Sequence, residues 1–260
     1  MRSDRSSLDE IERDLLGGAA VADTLRKCVV LGGRAGSTSL RDWASRELKG
    51  YPPEVELPDY RTVAAPLYVD GIAGNHQFSG QQISVHELPE FVREDLRKPV
   101  PLAHGIGELE SLVNSRDSNE MIRFMPPGGA DLVAYINGQN DNPYQSLSSI
   151  YWKVHPASVA GIIDAVKTVL AEMIGEMRAG TPTGQDVPSS EVTDQAVAVA
   201  VHGDGNRVTV VRDSRRTRVE ANASDGSAER PWWRQAKAIG AAIVGIATIA
   251  GAYFAWLAVR

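Results

Sequence analysis

The sequence predicts an α+β fold, in which a mixed domain of helices and short strands is followed by a β-hairpin module and a single C-terminal transmembrane helix. Three observations lead to this prediction. Apolar residues recur at helical spacing near both ends of the first 180 residues, short alternating runs lie between them, and an uncharged apolar stretch comes last. We divide the chain into a globular domain (1–179), a linker (180–194), a hairpin module (195–220), a basic juxtamembrane linker (221–237) and a transmembrane helix (238–259).

Three helices are predicted to open the globular domain. The first begins at Ser7, because Ser7 and Glu10 have the spacing of a capping box. The second covers about residues 20–31 and the third covers residues 40–49, which the turn-forming Gly50 ends. We expect the second helix to be broken by Gly32, Gly33 and Gly36, and the third to be capped by Thr38 or Ser39.

The middle of the domain is predicted to mix strands with short helices. The expected strands cover residues 61–69, 82–86 and 149–155, and the expected short helices cover residues 89–96, 106–114 and 129–136. Pro156 then occupies the first position of the strongest amphipathic helix. Its apolar stripe has core spacing and consists of Val159, Ile162, Ile163, Val166, Leu170, Met173, Ile174 and Met177.

A β-hairpin is predicted after the linker. Alternating residues before and after a turn sequence are typical of two paired strands. The apolar positions are Val197, Val199, Val201, Val208 and Val210, and the turn residues are Gly203, Asp204, Gly205 and Asn206. Because an isolated hairpin is marginally stable in water, this one is expected to need a neighbour, such as a second copy of the chain.

Residues 238–259 are predicted to span a membrane. They carry no charge, and as a helix they would be about 33 Å long, enough to cross a hydrocarbon core of about 30 Å. Basic and aromatic residues flank the span as expected at a membrane interface: Trp232, Trp233, Arg234 and Lys237 before it, and Tyr253 and Trp256 near its other end. The alternative is a buried core helix. The basic flank predicts a single-pass membrane protein with a cytoplasmic N-terminal domain.

Small residues form a stripe along this predicted span. Ala241, Gly245, Thr248 and Ala252 recur at spacings of three or four residues, which would place them on one helix face. Small residues allow close helix packing, so a homo-oligomer is expected. The alternative is a chance stripe in a segment that is rich in alanine and glycine.

The charge distribution limits the partners that the sequence predicts. The chain has 260 residues and a net charge of -6, but residues 230–260 carry four basic and no acidic side chains. The remaining acidic body gives no strong nucleic-acid signal, whereas the basic collar suits an anionic lipid bilayer. The single cysteine, Cys28, fits a reducing compartment and is expected to be a small buried side chain.

No catalytic, cofactor or metal site is predicted. His104 and Glu108 have helical spacing but lack further ligands for a zinc site, and the glycines near residue 32 lack the other residues of a phosphate-binding loop. The remaining histidines show no local nucleophile motif. We therefore predict no cofactor and lean against an enzyme.

Residues 40–52 of this chain include Trp43, Glu47, Gly50, Tyr51 and Pro52. In this pattern they resemble the signature of the AbiTii domain. Residues 57–61 and the helix after Pro156 are also similar to that family, so the resemblance covers about residues 5–180. It implies a link to bacterial abortive infection and other conflict systems, and together with the predicted span it implies a location in the bacterial inner membrane. It implies no catalytic residues, and Trp43 and Glu47 are expected to share a helix face while residues 50–52 form the exit turn.

Three functions follow as hypotheses. The first is a membrane-anchored sensor or effector of an anti-phage system, with an oligomerising anchor and a defence-system protein or nucleotide as its signal. The second is a membrane-tethered enzyme that acts on a nucleotide or nucleic acid. The third is a passive membrane scaffold for the product of a neighbouring gene.

Overall fold

A computed structural model describes residues 7–115 and 120–202. Within these ranges the chain forms helices and short antiparallel strands, which confirms the α+β class of the globular part. The helices are α1 (Ser7–Leu16), α2 (Val21–Ala35), α3 (Thr38–Lys49), α4 (Glu90–Arg97), α5 (Ile106–Asn114), α6 (Gly129–Gly138), α7 (Pro156–Gly180) and α8 (Ser190–His202). The strands are β1 (Thr62–Val63), β2 (Leu67–Ala73), β3 (His76–Ile83), β4 (Val100–Pro101), β5 (Ile122–Phe124) and β6 (Gln145–Val154).

The chain divides into two compact units, which we describe separately. Unit 1 contains residues 7–63, 101–115, Glu120 and 155–202, and it holds α1–α3, α5, α7 and α8. Unit 2 contains residues 64–100 and 121–154, and it holds β2, β3, β5, β6, α4 and α6.

The core of unit 1 forms around α7, which begins at the predicted proline. All eight residues of the predicted stripe are buried, and α7 packs against α5, α1 and α8. Each large apolar side chain that is removed from water in this way contributes about 1.5–3 kcal/mol. Cys28 lies on the buried face of α2 at 1% exposure, and burial raises the pKa of its thiol to about 12. The predicted role of Cys28 as a small buried side chain is therefore confirmed.

The glycines after residue 31 do not break α2 where the sequence predicted. The helix continues to Ala35, and Gly36 ends it with a left-handed φ of 72°. Gly32 is needed for close packing, because a Cβ at this position would lie 3.0 Å from the Arg41 nitrogen of α3. The N-cap of α3 is Ser37, not the predicted Thr38 or Ser39, because Ser37 Oγ accepts a hydrogen bond from Leu40 N.

The prediction of a first hairpin strand is wrong, because Val197, Val199 and Val201 lie on α8. Both residue types in the Ala-Val alternation are apolar, so the alternation does not separate a buried face from a solvent face. As a helix, the segment instead buries Thr193, Ala196 and Val197 at helical spacing and packs on α7. Ser189 accepts a hydrogen bond from Val192 N and supports the start of the helix.

The predicted linker is correspondingly shorter than residues 180–194, since α7 ends at Gly180 and α8 begins at Ser190. The remaining hairpin residues lie outside the described ranges: Gly203, Asp204, Gly205, Asn206, Val208 and Val210. The anchor and helix-packing residues between Trp232 and Trp256 also lie outside them. Within the described ranges, none of the helices combines the length and the hydropathy that a membrane span requires.

Unit 2 is built on an antiparallel sheet with the strand order β3-β2-β6-β5. The strand predicted over 61–69 divides at residues 64–66, and the strand predicted over 82–86 lies earlier, because Ser84 and Glu87 form the capping box of a short 3₁₀ helix. One sheet face is apolar and packs against α6, with Leu67, Val69, Ile150 and Trp152 buried. Strand alternation places Tyr68, Asp70, Tyr151 and Lys153 on the opposite face.

Candidate functional site

A buried ion pair lies at the centre of the motif residues in unit 1. Glu47 extends from α3, and Arg61 ends a 3₁₀ helix at Asp59–Arg61. Both side chains are 0% exposed, and Arg61 Nη2 binds the Glu47 carboxylate directly while Arg61 Nε donates to Glu47 Oε2 at 3.1 Å. A charge buried this deeply is stable only when its remaining donors and acceptors are also satisfied.

Aromatic hydroxyls satisfy the second oxygen of Glu47. Tyr51 and Tyr60 donate to Oε1 at 2.6 and 2.8 Å, and Trp43 Nε1 donates to the Tyr60 hydroxyl at 3.1 Å. Burial raises the pKa values of both tyrosines, and the negative charge of Glu47 raises them further. Both hydroxyls therefore remain protonated donors and are not poised to act as bases.

Backbone carbonyls accept further hydrogen bonds from the Arg61 guanidinium. Arg61 Nη1 donates to the carbonyl oxygens of His104 at 3.0 Å and Leu102 at 3.4 Å. The guanidinium also lies against the Tyr51 ring, with Cζ 5.5 Å from the ring centroid. The ion pair thus joins α3, the segment after it and the strand exit near residue 102 into one hydrogen-bonded network.

Gly50 lets the chain turn tightly beside this network. It has a φ of 93°, and its amide donates to Arg46 O at the end of α3. A Cβ at Gly50 would lie 2.6 Å from Ala103 O, while Tyr51 N donates to the same carbonyl at 2.8 Å. The predicted exit turn and the shared buried face of Trp43 and Glu47 are both present. Pro52, the last motif residue, is exposed just beyond the turn.

A cleft of about 580 Å³ lies in front of the network. Trp43 and Tyr51 form part of its wall, and Val197 and Val201 of α8 form another part. Its polar lining includes the carboxylates of Asp42, Glu56 and Asp59 and the guanidinium of Arg46. This lining favours a ligand that offers cationic or hydrogen-bond-donating groups beside an apolar surface.

A hydrogen bond joins α8 to the start of α3. Ser37 Oγ donates to Asp194 Oδ1 at 2.6 Å while also capping α3. Behind α8, a Cβ at Gly180 would lie 2.7 Å from Val192, so the C-terminal end of α7 approaches α8 closely. α8, which also lines the cleft, therefore contacts both α3 and α7.

The α3 side of this network was predicted from the sequence, and the Arg61 side was not. The motif residues Trp43, Glu47, Gly50 and Tyr51 lie together in the structure. Arg61 had no predicted role, although a glutamate on the buried face of a helix requires a cationic partner. His104 and Glu108 do approach each other, at 4.0 Å, but the described residues contain no group of three or more metal-ligating side chains.

One of three comparisons with known proteins found a match, and it agrees with this motif. No curated protein and no solved structure matches the chain. The model of the AbiTii family matches residues 6–202, a range that includes the cleft, the buried network and α8. Since this match covers most of the sequence, the chain belongs to the AbiTii family, and this membership suggests a role associated with abortive infection.

Proposed function

We propose that this protein is a membrane-anchored sensor and effector of a bacterial anti-phage system. Family membership supports the defence role. The observation that carries the sensing role is the position of α8, which lines the cleft through Val197 and Val201 and directly precedes the rest of the chain toward residue 260. In this proposal, the signal binds in the cleft and changes how α8 packs on α3 and α7.

The uncharged run of residues 238–259 supports the anchor, and its basic flank supports a cytoplasmic position for the globular part. The proposed output is clustering of anchors in the inner membrane. The stripe of Ala241, Gly245, Thr248 and Ala252 supports such clustering, because small side chains allow transmembrane helices to approach closely.

Membrane fractionation tests the anchor. The full chain is expected to remain with the inner membrane after carbonate extraction, whereas a chain truncated after Glu229 is expected to be released. Recovery of the full chain in the aqueous fraction without detergent would overturn the anchoring part of the proposal.

Phage challenge tests the output. Gly245→Leu is expected to preserve membrane localisation, because leucine is more hydrophobic than glycine, but to reduce the growth arrest that follows infection. Ala250→Leu is the matched control, since a helix would place residue 250 opposite the small-residue stripe. Equal growth arrest with all three proteins would argue against helix packing as the mechanism.

A substitution in the cleft tests the sensor. Val201→Trp places a large side chain in the cleft and is expected to alter the response to phage without changing membrane localisation. Ala171→Trp adds the same side chain at an exposed position of α7 and is expected to behave like the wild type. An unchanged phage response with Val201→Trp would contradict the role of the cleft.

A further inference from the structure

The polar face of the sheet in unit 2 carries a layered arrangement of aromatic and cationic side chains. Tyr68 and Tyr151 are register partners on β2 and β6, and their rings stack with centroids 6.3 Å apart. Lys153 Nζ lies 4.2 Å from the centroid of Tyr68, and Arg123 Cζ lies 4.5 Å from the centroid of Tyr151. A cation therefore covers each end of the stacked pair.

Asp70 anchors the Arg123 side chain on this surface. Its Nη1 donates to Asp70 Oδ2 at 2.9 Å, and its side chain remains 53% exposed. Asp70 also accepts hydrogen bonds from Tyr151, Ser149, Ser79 and the Gly80 amide. The guanidinium thus lies over an aromatic ring and is also tethered to Asp70 through one of its nitrogens.

The two cations are direct neighbours across the strands. Arg123 and Lys153 are register partners in the antiparallel β5–β6 pair, so their side chains leave the same face of the sheet. Like charges directly opposite each other destabilise a sheet. Asp70 compensates only Arg123, and Lys153 forms no ion pair with a carboxylate in the described part of the chain. This arrangement favours an anion between or beside the two side chains.

The surroundings favour a polymer over a small molecule. Ser79, Gln82 and Arg123 are exposed, so the surface is an open face of the sheet and offers little enclosure to a single small ligand. A single-stranded nucleic acid gains affinity from successive phosphates and stacked bases on such a face, and an arginine plane is a suitable stacking partner.

We propose that this sheet face binds single-stranded nucleic acid, with a base stacked on the outer face of Arg123 and a backbone phosphate bound by Lys153. Tyr68 and Tyr151 act as positioning residues that hold the two cations in place. This site lies within unit 2 and is independent of the cleft and the anchor of the proposed function.

Binding of fluorescent oligonucleotides to the full chain in detergent micelles tests the proposal. RNA and DNA strands of about ten nucleotides are compared by anisotropy with an abasic strand of equal length. We expect the strand with bases to bind about tenfold or more tightly than the abasic strand, in line with the energy of base stacking. Equal binding of the two, or no binding of either base-containing strand, would overturn the proposal.

Charge variants locate the site. Lys153→Gln is expected to weaken binding and to lower the slope of log affinity against log salt by about 0.7, the value for one lost single-strand phosphate contact. Arg123→Lys keeps the charge but removes the plane, so it is expected to preserve the salt slope and lose the preference for bases. Lys98→Gln, which changes an exposed lysine of unit 2 away from this face, is the control. If Lys98→Gln affects binding as much as Lys153→Gln does, the assignment is wrong.

Discussion

Arg61 and Glu47 form an ion pair in which neither side chain has any contact with solvent. We expect Glu47→Gln to lower the free energy of unfolding by about 3–5 kcal/mol, because it leaves the Arg61 charge buried without a partner. Urea unfolding measures this loss, and Glu94→Gln on the exposed side of α4 is the control. The double variant Glu47→Leu with Arg61→Met should be less destabilised than Glu47→Gln, since it buries no charge. If it is more destabilised, the uncompensated charge is not the cause.

The contact between Ser37 and Asp194 is expected to control how firmly α8 is docked. Asp194→Ala removes the acceptor, so amide exchange in α8 should become faster while exchange in α7 stays unchanged. Hydrogen exchange resolved by peptide measures both helices. Gln195→Ala, at an exposed neighbouring position, should leave both rates unchanged. Unaltered exchange in α8 of Asp194→Ala would show that apolar packing alone holds the helix.

The stability of unit 2 should depend on pH through Asp70. Burial alone would raise the pKa of this carboxyl, but hydrogen bonds from Tyr151, Gly80, Ser79 and Ser149 outweigh burial and lower the pKa to about 2. Because the pKa of Asp70 is lower in the folded state, its ionised carboxylate stabilises the fold at pH values above the pKa of an unfolded aspartate, near 4. This stabilisation is lost as the pH falls toward 2.

We expect this contribution to be about 1 kcal/mol, reduced from the full linkage value because the cluster is in contact with solvent. Between pH 2 and pH 6, the melting temperature of the wild type should therefore change more steeply with pH than that of Asp70→Asn. Asp141→Asn is the control, because Asp141 is exposed. Identical pH profiles for the wild type and Asp70→Asn would contradict the assigned role.

Cys28 should be unreactive in the folded protein. Its thiol is buried, and burial raises its pKa to about 12, so very little thiolate forms at neutral pH. A thiol-specific reagent is expected to modify Cys28 only after denaturation. Rapid modification under native conditions would show that α2 opens readily.

Two adjacent glycines of α2 should respond to alanine with opposite signs. At Gly33 an added Cβ meets nothing within 4 Å, so Gly33→Ala should stabilise the protein by about 0.5–1 kcal/mol through helix propensity. At Gly32 the added Cβ would press on the backbone of α3 at Arg41, so Gly32→Ala should be destabilising. Thermal unfolding of the two variants measures the difference, and equal effects would disprove the close approach of α2 and α3.

Amphipathic helices were the most predictable part of the fold. α7 begins at Pro156 and buries its predicted stripe, because both the start signal and the helical spacing are local features of the sequence. α8 was mistaken for a strand because its alanines and valines are all apolar, so packing against α7 decides its structure. Local patterns cannot supply that tertiary information.

The candidate sites show the same limit. Trp43 and Glu47 are four residues apart on α3, so their shared face was predictable from helical spacing, whereas Tyr51 was predicted only as part of the exit turn. The pairing of Glu47 with Arg61 also depends on the path of residues 53–58 after the exit turn, which sequence patterns do not define. The sheet face was invisible to the sequence analysis, which found no strong nucleic-acid signal, because strand order brings Tyr68 and Asp70 next to Arg123 and Lys153.

The division of unit 1 along the chain has a consequence during synthesis. The first three helices of unit 1 precede all of unit 2 in the sequence, whereas α7 and α8 follow unit 2. A nascent chain that stops before Pro156 therefore lacks α7, the helix around which the core of unit 1 forms. Val197 and Val201, which form one wall of the cleft, are translated near the end of the unit. A chain that stops before Pro156 would therefore contain neither a complete cleft nor the downstream residues proposed as the anchor. In a protein proposed to act against its own host cell, such a chain would lack both the proposed sensor and the proposed anchor.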